Sequence, residues 1–340
     1  MEARIIILFV ILPLFAAFII PIVGRLVNGF QRVAASFIML ALLVLSCFVI
    51  LRQPGTVTYT LGGWEPVKGI PVAIYMVLDG LSGFLLLIIN LLGFLSAFYA
   101  INYIRRYTGE NFFYTLMCLM VAGMNGVVLS GDLFNLYVFL EISVISSYAL
   151  VAFGVERTEL EASYKYQVLG GMASLLILFG IAMLYWKTGT LNIADIAVIL
   201  KGADRDAFMI FVQLILITGF GVKAALIPFH AWLPDAHSSA PSPISAMLSG
   251  VLIKAVGIYV IIRLFFNMFQ LDGTLAVVIT LIGALSMVIG VLLAIGQWDL
   301  KRLLAYHSIS QMGYVVTGIG MGMIIPVSYT HLTLPTKRIV

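Results

Sequence analysis

Ten apolar runs, each about as long as a bilayer's hydrocarbon layer is deep, follow one another through this sequence with short polar breaks between them. A helix needs about 20 apolar residues to cross that layer. The runs fall near 5–23, 33–51, 76–101, 112–130, 133–153, 166–186, 208–229, 243–265, 275–297 and 303–325. They predict an all-α protein, a polytopic transmembrane helical bundle of about ten helices. Only 10% of the residues are charged and 62% are hydrophobic, whereas a soluble domain is about 25% charged. The longest polar stretches, 52–75 and 187–207, leave no room for an extramembrane catalytic domain.

The other bulk features narrow the class further. The net charge is only +4, and the basic residues never cluster beyond adjacent pairs, so nucleic-acid binding is unsupported. Cys47 and Cys118 lie in separate apolar runs without CxxC spacing and read as structural thiols. The first run lacks a small-residue cleavage signal and reads as a retained helix. Lysines and arginines of the predicted loops and N-terminus divide eight against seven, too evenly to fix orientation and leaning only slightly to an outside N-terminus. After Pro326 the composition changes to a Thr-rich tail, VSYTHLTLPTKRIV, which shows neither helix periodicity nor a span; His331 within it is given no role.

Charge inside the runs is rarer and more informative. Of fifteen acidic residues, fourteen fall in loops or near predicted helix ends, and Asp79 and Asp132 stand at N-cap positions. The exception is Glu141, in mid-run within FNLYVFLEISVISSYAL. Lys223 and Lys254 lie equally deep, in FGVKAAL and VLIKAVG. A lysine at bilayer depth costs about 2.5–3.5 kcal/mol on insertion scales and should face a partner or a hydrated cavity. Pro228 has no amide hydrogen for the carbonyl of Ala224. With Gly219 and Gly221 on the other side, the helix is predicted to break around Lys223. Broken backbone at that depth persists only where protein or a polar cavity lines it. Two readings follow: a path for ions, or a buried ion pair that only fixes helix packing.

On the first reading Lys223 is a proton carrier, and moving Glu141 towards or away from it would switch its protonation. Two unit charges about 4 Å apart interact by about 4 kcal/mol at an effective dielectric near 20, enough for a switch. Lys254 follows 31 residues later, on the next helix. His230 and His237 lie between the two lysines and suit a proton relay near neutrality; the alternative is that one or both cap the broken helix or bond loop carbonyls. A metal at His230, Asp235 and His237 lacks a specific ligand spacing, nothing fixes a haem ligand pair, and no cofactor is expected. His307 opens a polar strip with Ser308, Ser310 and Gln311. That strip either extends a hydrated path or bonds neighbouring helices.

The same residues carry a family likeness. GDLFNLYVFLEISVISSYAL, KAALIPFHAWLPDAHSSAPSPISAMLSGVLIKAVGIY and KRLLAYHSISQMGY resemble the antiporter-like subunits shared by respiratory complex I, Mrp cation/proton antiporters and membrane-bound hydrogenases. The likeness covers roughly residues 75–325, and GGWEPVKGI, LDGLSGF and GDLFNLYVFLE make it most similar to the D-type subunits of Mrp antiporters and their hydrogenase relatives. It implies about fourteen helices on two inverted five-helix repeats with broken helices. It implies that Glu141 pairs with a pumping lysine, Lys223, and that His237 and Lys254 form the relay onwards; His230 matches a family histidine, and His307 and Ser308 stand as possible relay groups. By this likeness residues 1–110 are N-terminal helices, 111–265 a first ion-translocating repeat, 266–326 a partial second repeat and 327–340 a tail outside the family pattern. Family chains continue for several helices beyond AYHSISQMGY, so a fragment of a longer protein is expected here.

The expected function is proton translocation within a multisubunit Na⁺ (or K⁺)/proton antiporter, in a prokaryotic cell membrane and beside other membrane subunits. The first alternative is a proton-pumping subunit of a complex I-like NADH:quinone oxidoreductase or a hydrogenase, with redox centres on other chains. The second is a secondary transporter of an organic solute. A third, a quinone-binding redox enzyme, lacks any visible cofactor ligand in this sequence.

Overall fold

The computed structural model describes residues 4–52, 55–63, 73–201, 206–269 and 273–324. The tail beyond Ile324, and loop cations such as Lys68 and Arg205, lie outside the described residues. Within the described residues the chain is a bundle of twelve helices. They are α1 Ile5–Val23, α2 Phe30–Arg52, α3 Gly80–Tyr103, α4 Glu110–Leu129, α5 Leu133–Val151 and α6 Arg157–Thr188. After these come α7 Ile193–Lys201, α8 Ala207–Lys223, α9 Trp232–Ser239, α10 Ser242–Met268, α11 Gly273–Ile295 and α12 Leu300–Ile324. Eight of them are long and apolar enough to cross a membrane. Of the ten predicted runs the remaining two are α8, cut short at 17 residues by the break after Lys223, and α12, whose first turns carry the polar strip.

Three local departures from the predicted runs have plain causes. The run expected to start at 76 begins as a strand, β2 (Tyr75–Leu78), paired antiparallel with β1 (Val57–Thr60). Asp79 then ends the strand and starts the helix: its carboxylate accepts from the Ser82 amide at 2.9 Å while the Ser82 hydroxyl accepts from its amide at 2.7 Å. So the 52–75 stretch holds a small sheet edge that an all-α reading omits. Helix α6 starts at Arg157, nine residues before the predicted 166, because Glu156 and Glu159 form a capping box over polar turns that hydropathy ignores. Helix α7 lies inside the predicted 187–207 loop, where the Asn192 side chain accepts from the amides of Ala194 and Asp195.

Small and polar side chains set the packing, as expected where lipid supplies no hydrophobic drive between helices. The helices pack as α1 on α4, α2 on α3, α4 on α5, α6 on α8 and α11 on α12. The α11–α12 pair is the tightest in backbone terms. A Cβ on Gly313 would lie 2.3 Å from the Met287 amide nitrogen, and one on Gly290 would lie 2.7 Å from that of Ser310. Among the N-terminal helices a fully buried polar network joins four of them. Asn125 of α4 donates to Asn90 of α3 at 3.1 Å and to the Phe9 carbonyl of α1 at 3.0 Å, and Asn90 donates to Ser46 of α2 at 3.0 Å. These contacts make a rigid frame beside α5, α6, α8 and α10, which carry the charged residues.

Candidate functional site

Helix α8 stops at Lys223 through a built device. Ala225 adopts the left-handed conformation at φ +54°; the Leu226 amide reaches back to the Gly221 carbonyl at 2.9 Å, and the Ala225 amide to Val222 at 3.1 Å. That pair of bonds is a Schellman closure, with alanine where glycine usually stands. A left-handed residue with a Cβ costs about 1–2 kcal/mol, so the neighbours must hold it. Gly257 of α10 packs against the segment so closely that a Cβ there would meet the Ala224 Cβ at 2.6 Å. The freed Ile227 amide donates to Ser286 of α11 at 3.0 Å, and Trp232 Nε1 donates to the Val222 carbonyl at 2.9 Å. The break predicted from Gly219, Gly221 and Pro228 thus begins at residue 224, and protein groups satisfy these freed donors and acceptors.

The break puts Lys223 opposite two helices. Its side chain is only 2% exposed, and Nζ donates to the Ser174 hydroxyl of α6 at 2.8 Å. Ser174 in turn donates to Oε1 of Glu141 on α5, and its Oγ also lies 3.0 Å from the Gly170 carbonyl. The direct Lys223–Glu141 separation is 4.0 Å. Glu141 and Lys223 therefore meet, a pairing that the family resemblance implied and the residues alone did not show, with a hydroxyl between them that neither indicated. A buried aromatic ladder backs the group: Trp232 stacks on Tyr166 with ring centres 4.1 Å apart, and Ser147 of α5 donates to the Tyr166 hydroxyl at 3.0 Å.

Lys254 lies in a stretch of α10 wound as a π-helix, Leu248–Ile258. The wider turn shifts backbone partners by one residue, and Lys254 Nζ donates to the carbonyl of Ser249, five residues back. It lies 3.5 Å from the Ser308 hydroxyl of α12, which is 2.8 Å from that of Ser249. A lysine and two hydroxyls thus bridge α10 and α12. His237, on the short helix α9, is buried with Nδ1 2.9 Å from the Ser245 hydroxyl. His230 sits in the single turn before α9, its buried Nδ1 without a hydrogen-bond partner among the described residues and its ring 6.4 Å from that of Tyr306. His307 is exposed on the outer side of α12, whereas Ser308 beside it is buried. Among the described residues no hydrogen bond joins Lys223 to His237 or Lys254; the structure brings together Glu141 with Lys223, and Lys254 with Ser308, as two separate clusters.

Sequence reading missed Ser174 and Ser249, because a serine in an apolar helix usually bonds its own backbone and carries no distinguishing signal. It also counted Arg263 as a loop cation. The structure places Arg263, partly buried, in the last turns of α10, where it bonds Asp79 at 2.5 Å and the Tyr259 hydroxyl at 2.8 Å.

Outside the membrane end of α8, Asp206 pairs with Lys187 at 2.5 Å, and that hydrogen bond, with the Met209 amide, holds its carboxyl below the usual range. On the face where α6, α9 and α12 meet, Asp235 is held between Lys165 at 3.0 Å and Arg302 at 2.8 Å.

Comparison with known proteins agrees with this geometry. Residues 130–334 match the family described as NADH:quinone oxidoreductase/Mrp antiporter, transmembrane, so the match runs past Pro326. Over 333 residues the chain is 36% identical to the N-type NADH-quinone oxidoreductase subunit of Desulforudis audaxviator (strain MP104C), covering 96% of this chain and 65% of that protein. Over 331 residues it is 36% identical to the D-type Na(+)/H(+) antiporter subunit of Alkalihalophilus pseudofirmus (strain ATCC BAA-2126 / JCM 17055 / OF4), covering 96% and 65%. The chain therefore spans about two thirds of the length of these curated relatives. In fold it is similar to a chain of the membrane-bound sulfane sulfur reductase, an archaeal respiratory membrane complex, at TM-score 0.86 and 28% identity, covering 95% of this chain and 68% of that one. A chain of the Mrp complex from Dietzia sp. DQ12-45-1b gives TM-score 0.85 and 28% identity, with 94% and 59% covered. The chain is a multi-pass membrane protein and belongs to the NADH:quinone oxidoreductase/Mrp antiporter transmembrane family.

Proposed function

We propose that this chain is the proton-translocating membrane subunit of a multisubunit monovalent cation/proton antiporter, exchanging Na⁺ or K⁺ in a cell membrane beside other membrane subunits. The observation that carries the reading is Lys223: an almost fully buried ammonium, at a satisfied helix break, linked through a hydroxyl to a carboxylate on another helix. Ionisable groups at membrane depth mark ion or proton paths by default. In this reading Glu141 and Lys223 exchange a proton, and His237 and Lys254 carry it on, with Ser308, His230 and His307 as candidate relay groups. Similarity to the Na(+)/H(+) antiporter relative supports it.

The second reading, a proton-pumping subunit of a redox-driven complex, is favoured by the equal identity to the NADH-quinone oxidoreductase relative. Both readings use the same chain chemistry and differ in what drives it. The test uses sealed vesicles bearing the chain with its native partner subunits, a fluorescent pH probe, and additions of Na⁺, K⁺ or an electron donor. Proton movement on adding cation alone, abolished by Lys223→Ala, is the result expected of an antiporter. Proton movement on the electron donor alone transfers the assignment to the redox reading. Unchanged movement in Lys223→Ala defeats both.

A further inference from the structure

The geometry points to Ser174 as a relay group: the proton passes between Lys223 and Glu141 through the Ser174 hydroxyl and not directly. This rests on the reading of Lys223 and Glu141 as proton carriers. The direct separation of 4.0 Å exceeds the 2.7–3.2 Å at which an N–H donates usefully to oxygen. The two-step path has a contact within hydrogen-bonding reach at each step: Lys223 Nζ donates to Ser174 Oγ at 2.8 Å, and Ser174 Oγ donates to Glu141 Oε1. Both donors already point from the lysine towards the carboxylate. Ser174 is itself buried, and it reaches in from α6, a helix that carries neither of the charged partners.

Transfer along this path conserves every bond and charge. The Lys223 N–H bond breaks as a new O–H bond forms on Ser174. The original Ser174 O–H bond breaks as one forms on Glu141. One proton leaves an ammonium, one arrives at a carboxylate, both partners end neutral, and no electron is transferred. The hydroxyl has a second acceptor, the Gly170 carbonyl at 3.0 Å, one turn back on α6. With the hydroxyl turned to Gly170 the path to Glu141 is open-circuit, and with it turned to Glu141 the path is closed. Ser174 therefore sets when the pair exchanges its proton, by a single rotation of its hydroxyl.

The test compares wild type, Ser174→Ala, Ser174→Thr and Lys223→Ala in the same vesicles, with initial proton-transfer rates per assembled complex taken in H₂O and D₂O. Removing the hydroxyl should slow transfer about tenfold, since a positioned proton-transfer group contributes at least that much. It should also raise the solvent isotope effect, because the proton step becomes limiting, and Ser174→Thr should recover most of the rate. A Ser174→Ala rate and isotope effect equal to wild type overturn the relay, while loss of transport in Lys223→Ala leaves the carrier reading standing. Slowing with an unchanged isotope effect also overturns it, because a packing defect behaves that way, and this arm decides even where Ser174→Thr fails to assemble. Wild-type transport in Lys223→Ala defeats the carrier reading and the relay with it.

Discussion

Buried charge is satisfied in this protein by partners drawn from distant parts of the chain. Asp79 and Arg263 are 184 residues apart in sequence and bond at 2.5 Å, Asp79 buried and Arg263 partly so. Burial pushes the Asp79 carboxyl up, but the hydrogen bond and charge of Arg263, with the Ser82 amide, pull it below the usual carboxylate range. A depressed folded value means the pair's contribution is complete above the ordinary Asp value of about 3.9 and is lost as pH falls through the folded value. Asp79→Ala leaves the partly buried Arg263 without a carboxylate and with only the Tyr259 hydroxyl as partner, a loss of at most about 3–5 kcal/mol. Melting in detergent across pH should show the wild-type advantage constant at neutral pH and shrinking below about pH 4; an equal advantage at every pH would contradict the assignment. Glu141 and Lys223 were legible in the sequence because charge within an apolar run is rare. Asp79 was legible as a cap, yet its bond to Arg263 was not, because pairing across 184 residues is a property of the fold. Ser174 gave no signal, since its importance lies in what the other helices bring to it.

At the scale of elements, two departures from regular α-winding place the lysines. One is the Schellman closure after Lys223, and the other is the π-wound stretch around Lys254. The two touch at Gly257, where the π-wound helix presses on Ala224. Gly257→Ala therefore forces the end of α8 outwards. The expected cost is that of overpacking, about 1–3 kcal/mol, with transport falling further than stability because Lys223 moves off Ser174. Melting and proton transfer measured on the same preparation check this, and transport tracking stability alone would show that Lys223 keeps its place. Pro228 announced the break in the sequence. Nothing announced the π-winding, whose residues LSGVLIKAVGI suit an α-helix equally. The β1–β2 pair hid for a similar reason, as four-residue strands fall below any periodicity that a long loop displays.

For the whole molecule, the number and order of the membrane helices were written in hydropathy, and their neighbours were not. The α11–α12 pair shows why: its closeness depends on glycines facing backbone, and glycine in an apolar run is ambiguous. Gly313→Leu should prise the pair apart, lower the melting midpoint by the equivalent of about 1–3 kcal/mol, and separate Ser308 from Lys254. Disulfide trapping between paired cysteines on the two helices checks the separation; undiminished trapping would show that the pair tolerates the side chain. Helix α12 also fastens the break. Lys301 donates to the Ala240 carbonyl at 2.7 Å, just past the end of α9, and Arg302 holds Asp235 on α9 from one side while Lys165 of α6 holds it from the other. At its opposite end the segment is wedged between Gly257 and Ser286. Contacts at both ends restrain the segment. Transporters that rock one half of the molecule against the other need a hinge; on the proposed proton-carrier reading, a break held at both ends leaves rotation of single side chains, rather than a swing of the backbone, as the movement expected there.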